Sequence, residues 1–155
     1  MKILGISGSP RKGGNTDTLL DKALEGAQSA GARVEKIALN DLNFKPCQEC
    51  GGCDETGICV IDDDMQLVYR SLNSADAVIV ASPIFFGSVT AQVKMMIDRL
   101  QSLWVLKYVL RKAATARRKR KGIFLCVSAA RKKRFFENAK SIIKIFFATL
   151  DIKYA

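Results

Sequence analysis

Short apolar runs alternate with amphipathic stretches along the whole 155-residue chain. Ile3 to Ser7 has the length and character of a buried strand, and the stretch after it, Ser7-Gly8-Ser9-Pro10-Arg11-Lys12-Gly13-Gly14-Asn15-Thr16, is dense in turn formers. Thr16 to Ala30 then places Leu19, Leu20, Ala23, Leu24 and Ala27 on one helical stripe, with Gly31 where a C-cap belongs. Arg33 to Leu39 alternates less cleanly, with Val34, Ile37 and Leu39 among charged residues, which predicts a second strand near a sheet edge. A cysteine-rich loop follows. Asp62-Asp63-Asp64 then opens a helix through Leu72, the simplest role of the triplet being to cap it and complement its dipole. Ala77-Val78-Ile79-Val80-Ala81 is an uninterrupted apolar run of central-strand type, ended by Ser82-Pro83. A helix from about Val89 to Leu103, a strand over Gly122 to Val127 and a helix over Phe135 to Leu150 come next, and Ile152 to Tyr154 begins a further strand.

Strand and helix alternating in this way predict a doubly wound α/β fold, a parallel sheet with helices on both faces, because right-handed crossovers place them there. The expectation is a single domain over residues 1–155. Ligands of such sheets bind outside the carboxyl ends of the strands, so the loops after Ser7, Ser82 and Val127 are the places to look for a site. There is no internal repeat.

Composition narrows the chemistry. Histidine is absent, which removes histidine acid/base relays, Ser-His-Asp and Cys-His nucleophiles and histidine-ligated zinc or haem. No apolar run approaches the ~18 to 20 residues of a membrane span, and the apolar start at Met1 to Ile6 is too short for a signal peptide, so a cytoplasmic location is expected. The net charge of +10 is unevenly spread: residues 1–106 hold 10 basic and 13 acidic side chains, residues 107–144 hold 14 and 1. The excess lies in a basic segment at 107–134, which includes Arg117-Arg118-Lys119-Arg120-Lys121, and in the helix after it.

The first loop has neither the glycine spacing of a dinucleotide-binding turn nor the Lys-Ser/Thr of a Walker A loop. What it offers is hydroxyls (Ser7, Ser9, Thr16), an amide (Asn15), a guanidinium (Arg11) and backbone N–H groups at a helix N-terminus, the parts that hold a terminal phosphate. Helix capping alone is the plainer alternative.

Four of the five cysteines fall in the loop 47–59, as Cys47-x2-Cys50-x2-Cys53-x5-Cys59. Zinc sites normally draw two separated pairs of ligands, whereas three cysteines at consecutive two-residue gaps suit the compact loops that wrap an iron-sulfur cubane. Zinc and unmetallated thiols remain the alternatives. Cys126, in Phe124-Leu125-Cys126-Val127, is most simply a buried strand residue.

Gly5 to Thr16 resembles the FMN-phosphate loop of the flavodoxin-like NAD(P)H-dependent FMN reductases, and Ser82 to Lys94 followed by Ile97-Asp98-Arg99 resembles the second flavin loop of that superfamily. The cysteine segment, with the trailing Val60-Ile61-Asp62-Asp63-Asp64-Met65, is similar to the compact motif of its iron-sulfur flavoprotein branch. The resemblance implies a flavodoxin-like sheet and an FMN site. Ser7, Ser9, Pro10, Arg11, Gly14, Asn15 and Thr16 would stand at the phosphate, and Ser82, Pro83, Ile84, Phe85, Phe86 and Gly87 along the isoalloxazine ring. Ser128, in the third loop, is placed by topology. The resemblance also implies one [4Fe-4S] cluster on Cys47, Cys50, Cys53 and Cys59. For Phe85 and Phe86 the plain alternative is core packing.

The expected activity is that of an FMN-dependent oxidoreductase or electron-transfer flavoprotein, taking electrons from NAD(P)H or a ferredoxin-like protein and passing them to a small-molecule acceptor. An FMN or quinone reductase without a cluster, and a non-catalytic FMN-binding module, are the rivals. The basic segment would attract an acidic redox protein, NADPH phosphates, nucleic acid or an anionic membrane, or else be a solvated surface loop. Nucleic acid is disfavoured, because Arg117 to Lys121 has no interleaved aromatic and no reading motif. The chain stops at Ile152-Lys153-Tyr154-Ala155, where the fifth strand of a flavodoxin-like sheet begins. The last part of that strand and the closing helix are therefore expected to be lacking, and an exposed sheet edge favours a homodimer or homotetramer.

Overall fold

The computed structural model describes residues 1–113 and 119–155. Among these, β1 (Lys2–Ser7), β2 (Arg33–Ala38), β3 (Ala77–Pro83), β4 (Arg120–Val127) and β5 (Ile152–Tyr154) form one parallel sheet in the order β2-β1-β3-β4-β5. The helices are α1 (Asn15–Ser29), α2 (Met65–Ser74), α3 (Ala91–Arg99), α4 (Gln101–Trp104) and α5 (Lys133–Thr149). This is the doubly wound α/β class in its flavodoxin-like order, with β2 at the edge and the order reversing between β1 and β3.

The alternation of side chains along β1 and β3 decides which helix covers which face. Ile3, Ile79 and Ala81 pack with Leu20 and Leu24 of α1. Leu4, Ile6, Val78 and Val80 pack on the other face with Met65, Val68 and Leu72 of α2, Val93 and Met96 of α3, and Ile143, Phe146 and Phe147 of α5. The end of α1 falls where the sequence places it. Gly31 takes a left-handed φ of 84°, its N–H donates to Gln28 O and the Ala32 N–H donates to Ala27 O, the paired bonds of a Schellman stop.

Three departures from the sequence expectation have a visible physical cause, while the starts of α3 and α5 and the end of α2 shift by two residues each. The helix expected from Asp62 begins at Met65, because the acidic triplet is used in two directions. Asp63 Oδ1 accepts the Met65 N–H at 3.0 Å, while Asp63 Oδ2 takes the Lys45 N–H at 3.0 Å and Asp64 Oδ2 takes the Asn43 N–H at 2.7 Å. The triplet therefore also pins the segment leading into the cysteine loop. The helix expected over Val89 to Leu103 is interrupted after Arg99, since the Tyr69 hydroxyl occupies the Arg99 carbonyl and the Leu103 N–H turns to Leu100 O at 2.9 Å. A π-helical turn, Val105–Val109, follows α4.

Strand β4 begins two residues earlier than expected, at Arg120, whose buried guanidinium donates to the carbonyls of Leu72 (2.7 Å) and Leu150. The basic run is thus not simply a solvated loop, although Arg117 and Arg118 lie outside the described residues. The fifth strand is present as Ile152–Tyr154, paired with Arg120, Lys121 and Gly122. No helix among the described residues is long and apolar enough to cross a membrane.

Candidate functional site

The crevice at the β1/β3 reversal is closed at its floor by Gly8. Its N–H donates to Ala81 O at 2.7 Å and its carbonyl accepts the Thr90 hydroxyl at 2.8 Å. A Cβ there would stand 2.1 Å from Val93 Cγ2, so only glycine lets the first loop approach α3 this closely. Thr90, the N-cap residue of α3, also donates its N–H to Ser82 Oγ at 3.1 Å, which ties the loops after β1 and β3 together.

Above this floor lies a cavity of about 440 Å³ walled by all three loops at the carboxyl ends of the strands. Ser9, Pro10, Arg11, Gly14, Asn15 and Thr16 line it from the first, Pro83, Ile84 and Phe85 from the second, and Val127 and Ala129 from the third. Nine of the residues expected from sequence at the phosphate and ring are thereby brought to one wall-to-wall space. Ser7, Ser82, Phe86, Gly87 and Ser128 are not in the lining. Ser7 is buried and donates to Asp17 Oδ1 at 2.8 Å, and Ser82 is buried against Thr90. Ser128 is half-buried, and its hydroxyl donates to Ala130 O at 3.0 Å.

No side chain caps the N-terminus of α1, where Gly14 is the N-cap residue. Ser9 instead bonds within its own loop, to the Arg11 N–H and carbonyl at 3.2 and 3.0 Å. The residue that braces the loop is Asp17. One of its oxygens accepts the Gly13 N–H at 3.0 Å, the other bonds Ser7, and Lys36 of β2 lies 2.8 Å away. Burial alone would raise the Asp17 pKa, but the bonds from Lys36, Gly13 and Ser7 outweigh it and hold the carboxyl below its usual range. Lys36, which also reaches Asp21 at 2.6 Å, offsets part of the negative charge that Asp17 sets against an anion at the loop. An acidic residue in the first helical turn was visible in the sequence, whereas its partner on β2 was not.

The second loop is a tight hairpin in which Phe85 and Ser88 exchange N–H to O bonds of 3.0 Å each. Phe86 and Gly87 between them have φ of 50° and 77°, the primed geometry of two-residue hairpins. Asn138 of α5 supports it from behind by donating to Gly87 O at 2.8 Å. Phe85 is half exposed and Phe86 wholly so, which removes core packing as the reason for either.

The cysteine loop makes a second cavity, of about 340 Å³, and Cys47, Cys50, Cys53 and Cys59 all line it. All four are free thiols. Burial, with Asp54, Cys59 and Cys47 nearby, pushes the Cys53 thiol up. Among the described residues no group of three thiols or carboxylates converges as a single metal ion requires. Arg99 enters the same cavity from the end of α3, with its side chain fully buried. Its guanidinium donates to Lys45 O at 2.9 Å, Ile61 O at 3.2 Å and Asp63 Oδ2 at 2.6 Å. Burial would lower its pKa, but Asp63 and Cys59 hold the cation well above its ordinary value. The Tyr69 phenol is pushed up to about 12, chiefly by burial, with Cys59 adding to it. Cys126 is partly buried against the core, and burial raises its thiol too.

A parallel sheet in this order, with a loop-walled cavity over the β1/β3 reversal, defines the flavodoxin-like class of nucleotide-cofactor folds. Within that class the chain belongs to the NADPH-dependent FMN reductase family, whose model it matches over residues 1–142. It is 43% identical over 99 residues to an iron-sulfur flavoprotein of Methanosarcina thermophila, covering 64% of this chain and 52% of that one. It is 45% identical over 100 residues to an iron-sulfur flavoprotein of Archaeoglobus fulgidus, covering 64% and 46%. The chain thus spans about half the length of these curated relatives. Among solved structures, an NAD(P)H:quinone oxidoreductase from Methanothermobacter marburgensis superimposes with a TM-score of 0.77 over 99% of this chain and 80% of that one, at 18% identity. A flavone reductase does so at 0.72 over 99% and 51%, at 21% identity. These two likenesses establish the fold.

Proposed function

We propose that the chain is an FMN-dependent oxidoreductase or electron-transfer flavoprotein that couples FMN to a [4Fe-4S] cluster and moves electrons from NAD(P)H or a ferredoxin-like protein to a small acceptor. The observation that carries the flavin half is the cavity of about 440 Å³ over the β1/β3 reversal, which falls in the size range of small-molecule sites. The residues present fit FMN. Arg11 and the uncapped N-terminus of α1 offer a cation and backbone N–H groups to a phosphate, with Asn15 and Thr16 beside them. Pro83, Ile84 and Phe85 give an apolar wall to a planar ring. FMN would supply the chemistry that accepts a hydride and releases single electrons. The chain's own residues bind, orient and exclude water, so the lack of histidine is no obstacle.

The cysteine cavity fits the second group by its donor set, since four thiols line one space. The spacing also suits it, since zinc sites normally draw two separated pairs of ligands whereas three cysteines at two-residue gaps suit a cubane. A second reading, an FMN or quinone reductase whose thiols carry nothing, is favoured by the lack of a converging metal-ligand group among the described residues. One experiment decides between them: an anaerobic absorbance spectrum with FMN, iron and sulfide quantitation per chain. Flavin bands with about four irons and four sulfides are expected. Flavin without iron selects the second reading, and neither chromophore after reconstitution with FMN overturns both.

A further inference from the structure

Arg99 closes the second-loop motif in sequence, yet in the fold it lines the cysteine cavity, a place that the cysteine spacing does not account for. A buried guanidinium is costly unless its donors are engaged, and its engagements here are arranged around the loop rather than within its own helix. Lys45 O, at 2.9 Å, belongs to the stem that enters the loop ahead of Cys47. Ile61 O at 3.2 Å and Asp63 Oδ2 at 2.6 Å belong to the stem that leaves it after Cys59. Asp63 in turn accepts the Lys45 N–H at 3.0 Å, so the two stems are cross-tied at one point. Among the described residues Arg99 Nε has no hydrogen-bond partner although it is buried. The side chain lines the cavity that the four thiols share. At the other end of α3, roughly 13 Å away for a nine-residue helix, Thr90 ties together the loops that floor the flavin cavity.

We propose that Arg99 is the positioning residue of the cysteine cavity: it clamps the two stems of the loop and places a fixed positive charge, held in balance with Asp63, against whatever anionic assembly the four thiolates carry. The clamping half stands on the contacts alone. The electrostatic half rests on the cluster proposed above. A buried cation beside the cluster favours its more negative, reduced form, so it raises the reduction potential, and the neighbouring Asp63 carboxylate opposes it.

The test uses Arg99→Gln, Arg99→Lys and Asp63→Asn in the full chain. Amide hydrogen exchange over residues 46–61 is measured on iron-free protein, and protein reconstituted with iron and sulfide is titrated by potential with absorbance as the readout. Arg99→Gln is expected to speed exchange in the loop at least about tenfold, as loss of one partner from a buried charge network does. Exchange as slow as in the parent protein overturns the clamp. The midpoint potential is expected to fall in Arg99→Gln and to rise in Asp63→Asn, opposite signs that a merely structural role would not give. Shifts of one sign, or none, overturn the electrostatic half. Should Arg99→Gln fail to fold, Arg99→Lys retains the charge without the planar fork. It is then expected to open the loop while leaving the potential near that of the parent, and a protected loop or a large fall in potential counts against the proposal. A parent protein that takes up no iron removes the cluster proposal and the electrostatic half with it, while the exchange result still decides the clamp.

Discussion

Residue by residue, the charged groups that shape both cavities are held by hydrogen bonds and ion pairs from more than one element. Asp17 braces the first loop through Ser7, Gly13 and Lys36. Its carboxyl is held below the usual range, so its contribution to stability is present above about pH 4, the unfolded-state value, and is lost as pH falls through the lower folded-state value. Asp17→Asn is therefore expected to cost about 1 to 2 kcal/mol at neutral pH. The gap from the parent should narrow as the pH is lowered, which urea unfolding along a pH series would show. Phe86 makes the opposite case. It is fully exposed and sits at φ 50°, a conformation that costs a side-chain-bearing residue about 1 kcal/mol. Phe86→Gly relieves that strain while gaining unfolded-state entropy, so stability by urea unfolding should change by less than about 0.5 kcal/mol. A core phenylalanine would lose several times as much. Sequence reasoning identified both phenylalanines as candidates and left core packing open, because exposure is not encoded in residue type.

Among the elements, strands with long apolar runs and the core of the α1 stripe, Leu20 and Leu24, were legible from periodicity, although Leu19, counted in that stripe, is exposed. The junctions were not. The break after Arg99 follows from a hydroxyl on α2 that captures a helix carbonyl, and the early start of β4 follows from Arg120 finding carbonyls of Leu72 and Leu150. Neither partner is near in the chain, so local propensity pointed elsewhere. The tightest junction is that of the β1 loop with α3. Gly8→Ala would drive a methyl group into Val93 and is expected to cost about 1 to 3 kcal/mol. Because the same contact floors the flavin cavity, FMN affinity should fall in parallel, measurable by flavin fluorescence on titration into the apoprotein.

Across the whole molecule, the net charge of +10 comes from residues 107–144, the stretch that also carries the third cavity loop. Arg131, Lys132, Lys133 and Arg134 are exposed beside the third loop, whose Val127 and Ala129 line the larger cavity. An acidic donor protein approaching that side would be steered by them. Raising the ionic strength from about 0.01 to about 1 M cuts the Debye length from about 30 to about 3 Å, so reduction by an acidic ferredoxin-like protein should slow steeply, as stopped-flow would record. Reduction by a neutral dithiol should hardly change. Periodicity and local spacing were enough for the fold class, for the strand-end loops that wall a cavity, and for marking thiols and phosphate-binding residue types as candidates. Packing brought nine of those residues to one cavity, set Ser7 and Ser82 in the scaffold beneath it, and gave Asp17, Thr90, Arg99 and Asn138 their holds on the loops. The longest of these holds, Thr90 to Gly8, Arg99 to Lys45 and Asn138 to Gly87, join residues more than fifty positions apart, and such distances exist only once the sheet and its helices have packed.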